Sequence, residues 1–246
     1  MNKVGAIILA AGKGKRMNSK TVNKVVLPLE NKPMILHTLD LLKKFKIDPI
    51  IVVVGFAKKS VMEVLGDRVT FAEQKKQLGT AHAVLCAFRR LPQNIDNVLI
   101  VNGDDSAFYK EQMIKKLVET HFLVKASFTF LTIELENPSG LGRVIRNKKG
   151  EVMAVIEEED ATKKQKEIKE INPACYIFRV NFLKEYLKKV KKSPVTGEYY
   201  LTSLVNIAVK NKEKIETVRG GKIAWRGVNT KKELRQAERL FLERNF

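Results

Sequence analysis

Short apolar runs alternate with amphipathic segments through the first 120 residues of the chain. Residues 4–9, 50–54, 69–71 and 98–101 are apolar runs of strand length, and residues 34–45, 58–65, 80–89 and 110–119 show helical spacing. This alternation predicts an α/β fold in which a largely parallel sheet carries helices on both faces. Ligands of such sheets bind at the carboxyl ends of the strands.

After residue 120 the pattern changes to longer strands. We expect strands over residues 126–134, 142–146, 152–157 and 171–180, with helices over 182–190 and 202–209. Short strands at 215–218 and 223–225 precede a terminal helix over 231–244. No low-complexity linker or internal repeat divides the chain, so we expect residues 1–246 to form one domain whose second half supplies the other wall of a cleft.

Composition favours a single cytoplasmic domain. A chain of 246 residues, of which 44% are hydrophobic, can bury a substantial core. Its apolar runs are too short to cross a bilayer and its N-terminus lacks a secretory signal, so we expect a cytoplasmic protein with no membrane partner. Cys86 and Cys175 lie far apart and lack metal-ligand spacing, which predicts two packed thiols.

The net charge is +19, from 46 lysines and arginines against 27 acidic residues. The lysines are spread along nearly the whole chain, without aromatic interleaving or an arginine-rich block. This distribution is typical of a solvated surface that attracts small polyanions. We therefore do not expect nucleic acid as the partner, and we keep an RNA-binding module only as an alternative.

A basic, glycine-bearing loop follows the first predicted strand. It reads Leu9-Ala10-Ala11-Gly12-Lys13-Gly14-Lys15-Arg16-Met17, and Lys24 comes shortly after it. Gly12 and Gly14 let the backbone approach a polyphosphate, while the cations offset its charge. The loop matches neither the ATPase P-loop nor the dinucleotide fingerprint. It predicts a polyphosphate site, with an ordinary basic turn as the alternative.

Polar groups follow two more of the predicted strands. Asp104 places a carboxylate where Mg²⁺ could meet a bound phosphate, because Mg²⁺ is often held by one or two protein groups plus substrate phosphates. Gln74 and Gln77 are suited to reading a nucleobase, and they precede a helix that opens at Gly79-Thr80. That opening predicts an N-cap with free backbone N–H groups. An ordinary turn and a capped surface helix are the alternatives.

Nine segments in chain order resemble the sugar-phosphate nucleotidyltransferase family, and most closely its uridylyltransferases that make UDP-N-acetylglucosamine. They are the loop 9–17, Lys24 with the turn 31–34, 77–80, Gly103-Asp104, 140–143, Glu157 with 160–162, 170–172, 197–202 and 227–229. The resemblance implies a Rossmann-like, mostly parallel mixed sheet flanked by helices. It also implies a nucleotide-binding half over 1–120, a sugar-binding half over 121–230 and a terminal helix over 231–246.

The resemblance further implies substrates and residue roles. UTP and N-acetylglucosamine 1-phosphate would react with Mg²⁺ as the cofactor. Arg16 and Lys24 would stabilise the departing pyrophosphate, while Asp104 and Asn229 would hold Mg²⁺. The implied nucleotide-binding residues are Leu9, Ala10, Ala11, Gly12, Gly14, Gln74, Gln77, Gly79 and Thr80. The implied sugar-binding residues are Asn102, Gly142, Glu157 and Asn172, and Thr80 also resembles a sugar-contacting position.

The sequence departs from the family pattern in several places. The departures are Lys15 for Thr or Ser, Asn23 for Pro, Asn102 for Tyr, and Pro173-Ala174 for Thr-Gly. Asn102 and Pro173 flank the implied sugar pocket. The alternatives are therefore a transferase for another sugar or alcohol phosphate or another nucleotide, such as UTP with glucose 1-phosphate, or dTTP or CTP, and a catalytically silent regulatory or RNA-binding relative.

Other expectations concern the surroundings of the site. We interpret Glu158, Glu159 and Asp160 as an exposed acidic turn, Trp225 as a core residue and His82 as structural. Asn229 has a second interpretation, as the cap of the terminal helix. The chain ends at Phe246 without hexapeptide repeats, so we expect no left-handed β-helix acetyltransferase domain. The sequence leaves a homo-oligomer open.

Overall fold

The chain folds around one large sheet. A computed structural model describes residues 3–14, 21–104, 108–222, 225, 227–228 and 230–244. The strands are β1 (Val4–Ala10), β2 (Pro28–Leu29), β3 (Lys32–Pro33), β4 (Ile50–Val54), β5 (Thr70–Glu73), β6 (Asn97–Asn102), β7 (Phe128–Glu134), β8 (Gly142–Arg146), β9 (Val152–Ile156), β10 (Glu170–Asn172), β11 (Tyr176–Arg179) and β12 (Ile215–Lys222). The α-helices are α1 (Met34–Lys44), α2 (Lys58–Leu65), α3 (Thr80–Phe88), α4 (Glu111–Val124), α5 (Lys163–Lys166), α6 (Val180–Tyr186), α7 (Ser203–Lys210) and α8 (Lys231–Arg244). Among them, no described helix has the length and apolar character needed to span a bilayer.

Four strands of the first half lie side by side and parallel, in the order β5-β4-β1-β6. Every residue of β4 is buried, as expected for a parallel strand covered on both faces. The register pairs Ala10 with Val54 and Leu9 with Asn102. The loops that follow β1 and β6 therefore meet at one edge of the sheet, as the alternating pattern predicts.

The second half extends this sheet mostly with antiparallel strands. β11 pairs with β6 and β7, and β12 lies parallel to β7. β10 also pairs with β7 and begins a branch that continues through β8 and β9. The predicted mixed sheet flanked by helices is confirmed, and it is parallel throughout its first half.

Some predicted boundaries were wrong. Residues 171–180 form two strands instead of one, because Pro173 supplies no N–H to the ladder and Ala174 turns the chain at φ +56°. α4 continues five residues past its predicted end, to Val124. β12 continues through Gly220 and Gly221 to Lys222, where we predicted a break.

Two apolar cores cover the two faces of the sheet. Successive residues of β1 alternate between them, so that Ile8 belongs to one core and Ile7 to the other. Cys175 is buried in the first core and Cys86 is half-buried, and both are free thiols as predicted. With both faces covered, the strand ends are the part of the sheet left open for a ligand.

Candidate active site

A cleft of about 950 Å³ opens at the carboxyl ends of β1 and β6, a size typical of small-molecule sites. All but three of the predicted site residues line it: Leu9, Ala11, Gly12, Gly14, Lys24, Gln74, Gln77, Gly79, Thr80, Asn102, Asp104, Gly142, Glu157 and Asn172. Ala10 does not line the cleft, because it is buried in the core beneath it. Arg16 and Asn229 lie outside the described residues.

Asn23 fixes the start of the glycine loop. Its side-chain amide donates to the carbonyl oxygens of Phe56 (2.8 Å) and Ala10 (3.0 Å) and, at 3.3 Å, to that of Gly12. Its Oδ1 accepts from the Val25 N–H at 3.2 Å, and the side chain is fully buried. The residue that departs from the family's proline therefore ties the loop to two other segments.

Lys24 and Asp104 form an ion pair in the cleft, and their side chains are only 15% and 9% exposed. Lys24 Nζ also donates to the Val228 carbonyl at 3.0 Å, which links the first half of the chain to the segment after β12. Gly14, at φ +53°, lies against the Lys24 side chain. The structure thus joins two groups to which the resemblance assigns different roles, phosphate binding and metal binding.

Asp104 suits a magnesium site completed by substrate. The part of the chain that the structure describes contains no group of three or more His, Cys, Asp or Glu residues able to cage a metal. One carboxylate together with substrate phosphates is a donor set that Mg²⁺ accepts readily. Asp104 is buried at the end of β6 and lines the cleft, so it would meet a metal that a bound polyphosphate brings.

Thr230 caps α8, since its Oγ1 accepts from the Glu233 N–H at 3.1 Å. The sequence predicts Asn229 as an alternative candidate for this cap. The cap falls one residue later, at the position where a side-chain oxygen reaches the third N–H of the helix. Capping of α8 therefore does not account for Asn229.

Gln74 presents one free hydrogen-bonding group. Its Nε2 donates to the Gly79 carbonyl and to His82 Nδ1, both at 3.0 Å, so both amide hydrogens are used. Burial lowers the pKa of His82, which keeps Nδ1 an acceptor and agrees with a structural role for this histidine. The Gln74 oxygen has no partner among the described residues. Gln74 therefore offers a ligand an acceptor.

The start of α3 differs from the prediction. Thr80 Oγ1 accepts from the Leu201 N–H at 2.8 Å instead of capping the helix, and the Ala81 N–H donates to the Tyr199 carbonyl at 2.9 Å. The predicted side-chain cap was therefore wrong, and of the N–H groups expected to be free, that of Ala81 is taken by the segment 197–202, which packs against the helix start. A Cβ on Gly79 would lie 2.5 Å from the Tyr199 oxygen, so this approach requires glycine.

Asn172 also presents one free group, a donor. Its Oδ1 accepts from the Ala174 N–H (2.7 Å) and from the Tyr176 hydroxyl (2.8 Å). Its Nδ2 is buried without a hydrogen-bond partner among the described residues, although Asn172 lines the cleft. Buried amide hydrogens are seldom left unpaired, so this one points to an acceptor on a ligand.

Glu157 supplies a carboxyl group to the same part of the cleft. Its Oε1 accepts from the Thr202 hydroxyl at 2.7 Å, and its Oε2 would lie 3.4 Å from a Cβ added to Gly142. Burial raises the pKa of Glu157, and the nearby charges of Asp160 and Glu198 raise it further, while the Thr202 hydrogen bond opposes them. Glu157 is thus an acceptor whose protonation is easier than that of an exposed glutamate.

The acidic turn after Glu157 is not simply exposed. Glu158 Oε2 lies 2.7 Å from a guanidinium nitrogen of Arg143, whose side chain is only 2% exposed, and it accepts from the Gly140 N–H at 3.1 Å. Asp160 Oδ1 accepts from the Ser193 hydroxyl at 2.8 Å. Of the three carboxylates that we interpreted as surface groups, only Glu159 is exposed. Neither contact is predictable from the local sequence, because both partners are distant in the chain.

Comparison with known proteins agrees with this geometry. A model of the nucleotidyl transferase family matches residues 5–244. The chain belongs to this family. The bifunctional protein GlmU of Caldicellulosiruptor saccharolyticus is 42% identical over 235 residues, which cover 94% of this chain and 50% of that protein. GlmU of Thermoanaerobacter pseudethanolicus is 40% identical over 244 residues, 99% of this chain and 53% of that protein.

This nucleotidyl transferase therefore spans about half the length of these curated relatives. A solved structure from Bacillus anthracis, described as a glucose-1-phosphate thymidylyltransferase in complex with sucrose, matches it with a TM-score of 0.80. The match covers 99% of this chain and 97% of that chain at 24% sequence identity. At that level of identity the match shows a shared fold.

The transferase cleft also contains residues that sequence reasoning missed. Lys75 and Lys76 line the cleft between Gln74 and Gln77. Their position between two predicted nucleotide-binding residues was a usable signal that they also belong to the site. Tyr176 and Thr202 line it as partners of Asn172 and Glu157. Trp225 lines it as well as packing in the core, and the sequence suggested only the core.

Proposed function

We propose that this nucleotidyl transferase moves a uridylyl group from UTP to N-acetylglucosamine 1-phosphate, giving UDP-N-acetylglucosamine and pyrophosphate. The observation that carries the proposal is a single cleft lined by the glycine loop, the Lys24–Asp104 pair and the groups of Glu157 and Asn172. Such a cleft offers cationic and backbone contacts to phosphates and separate hydrogen-bonding groups to a sugar. The identity to GlmU proteins supports this choice of nucleotide and sugar.

Catalysis of this reaction requires mainly the alignment of the two substrates and the neutralisation of their phosphate charge. A phosphate oxygen of the sugar 1-phosphate attacks the α-phosphorus of UTP, and the bond from that phosphorus to the oxygen bridging it to the β-phosphorus breaks. Because the attacking phosphate is already ionised near neutral pH, no general base is needed. We assign Lys24 and Arg16 to the negative charge on the departing pyrophosphate. Bound Mg²⁺, held by Asp104 and Asn229, would neutralise further phosphate charge.

The free groups of the cleft suit these substrates. The Gln74 oxygen complements the N3–H of uracil, because its amide hydrogens are already used. Asn172 Nδ2 complements a carbonyl oxygen such as that of the N-acetyl group, and the Glu157 carboxylate complements a sugar hydroxyl. Each assignment pairs one donor with one acceptor.

A substrate matrix tests the proposal. UTP, dTTP, CTP, ATP and GTP are each combined with N-acetylglucosamine 1-phosphate, glucose 1-phosphate and other sugar 1-phosphates, and pyrophosphate release is measured with Mg²⁺. We expect the highest kcat/KM for UTP with N-acetylglucosamine 1-phosphate. Turnover of another pair, with none for this one, would reassign the substrates within the family, and no turnover of any pair would favour a silent relative.

A further inference from the structure

Trp225 combines two properties that do not fit a purely structural residue. It is 3% exposed and packs in the same core as Val228 and Ala237, yet it lines the cleft. Its indole Nε1 is buried and has no hydrogen-bond partner among the described residues. Indole N–H groups usually find an acceptor when they are buried.

Two of the four unpaired buried atoms of the described residues belong to residues that line the cleft. The four are Thr38 Oγ1, Arg143 Nε, Asn172 Nδ2 and Trp225 Nε1. Of these residues, Asn172 and Trp225 line the cleft, and the unpaired atom of each is a donor that cannot accept. Two such donors at one cavity are matched by a ligand that brings acceptor oxygens.

The sheet places Trp225 with the second half of the chain. β12, which ends three residues before Trp225, pairs Lys222 with Glu134 of β7. β10, which ends at Asn172, pairs Glu170 with the same Glu134. The glycine loop, by contrast, follows β1 on the far side of β6 and β11. Trp225 therefore follows a strand that shares β7 with the strand of Asn172, in the half of the chain that carries the proposed sugar contacts.

The segment after Trp225 also reaches the phosphate-binding pair. Val228, three residues later, accepts a hydrogen bond from Lys24 through its carbonyl oxygen, and Gly227 lines the cleft. A ligand in contact with Trp225 would thus share the cleft with both the Lys24–Asp104 pair and the proposed sugar contacts. Of the two proposed substrates, the sugar 1-phosphate is the one that carries a phosphate directly on the sugar proposed to meet Glu157 and Asn172.

We infer that the Trp225 indole N–H donates a hydrogen bond to an oxygen of the bound sugar 1-phosphate and contributes to the choice of that substrate. The identity of the sugar rests on the proposed function. The hydrogen bond accounts for a buried donor that has no partner among the described residues. It also gives Trp225, which lies three residues before the Val228 contact of Lys24, a role in recognising the sugar 1-phosphate.

The chain offers a sharp test because Trp225 is its only tryptophan. Global replacement of tryptophan by benzothienylalanine, which has sulfur in place of the N–H, changes only this position and keeps the ring shape. We expect KM for N-acetylglucosamine 1-phosphate to rise about 2- to 10-fold, the range of one neutral hydrogen bond, with kcat and KM for UTP unchanged. Trp225→Phe gives a second variant without the N–H.

Thr38→Val is the matched control, because it removes an unpaired buried hydroxyl that does not line the cleft. It should leave both KM values unchanged. A direct readout comes from the single indole N–H resonance in a ¹H–¹⁵N spectrum. We expect UDP-N-acetylglucosamine to move this resonance and to slow its exchange with water, and UTP alone to leave it in place.

An unchanged KM for the sugar 1-phosphate in both variants, or a resonance that responds to UTP but not to the nucleotide sugar, would overturn the inference. Failure of the proposed function looks different, because the unmodified protein would then prefer another sugar 1-phosphate in the substrate matrix. The same titration and KM comparison, made with that preferred substrate, would still decide the role of Trp225. If no pair turns over and no nucleotide sugar from the matrix moves the resonance, both proposals fail.

Discussion

The two proposed walls of the cleft are held in place by different kinds of hydrogen bond. The proposed nucleotide wall, formed by residues 9–14 and 74–80, contains the glycine loop together with Lys75 and Lys76, and it is fixed by hydrogen bonds from the buried side-chain amides of Asn23 and Gln74 to backbone carbonyls. The proposed sugar wall, formed by residues 140–142, Glu157 and 172–176, presents the side chains of Glu157 and Asn172, which are held by other side chains. Backbone contacts suit phosphates, which every substrate of this family shares, whereas side-chain contacts can distinguish one sugar from another.

This difference separates the groups that can serve any substrate of the reaction class from the groups that can select one particular substrate. A glycine loop at a strand end serves any nucleoside triphosphate, since it offers N–H groups and open space. Glu157, Asn172 and Trp225 each offer a particular donor or acceptor, so a change at one of them should affect one substrate only. We propose that the Lys24–Asp104 pair meets the phosphates of both substrates, so a change at this pair should affect both.

The largest effect is expected from Asp104→Ala. The change removes the carboxylate that is proposed to hold Mg²⁺ and that pairs with Lys24, so kcat should fall by about 10³-fold or more, with both substrates affected. Pyrophosphate release measured against Mg²⁺ concentration checks this. Asp40→Ala is the control, because Asp40 pairs with Lys32 at an exposed site far along the chain and should leave the rate unchanged. Retained Mg²⁺-dependent activity in Asp104→Ala would remove this residue from the metal site.

The second prediction concerns the support of the sugar wall. Glu158→Ala leaves the buried Arg143 guanidinium without its carboxylate and the Gly140 N–H without its acceptor, which should lower the free energy of unfolding by about 2–3 kcal/mol. Glu159→Ala, at the exposed neighbouring position, should change it by no more than about 0.5 kcal/mol. Urea denaturation of the two variants measures the difference. Equal stabilities would mean that the Arg143 pair does not support this wall.

The sequence predicts the proposed nucleotide wall and the Lys24–Asp104 pair better than it predicts the proposed sugar wall. The glycine loop, Lys24 and Asp104 could be located because the alternation of strands and helices brings parallel strand ends together. The contact of Glu158 with Arg143 and the cleft position of Trp225 could not, because they depend on how the branch of the sheet at β10 and the end of β12 are placed. Pro173 was a usable signal in the sequence, because a residue without an N–H inside a predicted strand indicates that the strand is interrupted there.

Asn23→Ala tests whether the nucleotide wall also depends on a side chain. The substitution removes the amide that donates to Ala10, Gly12 and Phe56, and it should cost about 2 kcal/mol of stability. KM for UTP should rise, because the loop loses its fixed position, while KM for the sugar 1-phosphate should change little. Asn211→Ala, which removes a single exposed hydrogen bond to Ile207, is the control. A rise in the sugar KM alone would contradict the division between the walls.

The pH dependence of the two KM values sharpens the comparison further. Burial raises the pKa of Glu157, so its carboxylate takes up a proton at higher pH than an ordinary glutamate, and it then loses acceptor capacity. Lowering the pH from about 8 to about 5 should therefore raise KM for the sugar 1-phosphate several-fold and leave KM for UTP less affected. Glu157→Gln should have a high sugar KM at all pH values. The ratio of the two proteins' KM values cancels the ionisation of the substrate itself, and a ratio that does not vary with pH would exclude Glu157.

The smallest effect is expected from Gly12→Ala, and it isolates the role of the backbone. A Cβ at residue 12 would meet nothing within 4 Å, so the free energy of unfolding should stay within about 0.5 kcal/mol of the original. The methyl group would stand where the loop is open for phosphates, and KM for UTP should rise about 2- to 10-fold. The same methyl at Gly79 would lie 2.5 Å from the Tyr199 oxygen, so Gly79→Ala should instead lose stability. If Gly12→Ala binds UTP normally, the backbone at residue 12 does not contact the triphosphate, and the nucleotide wall owes its affinity to its cations.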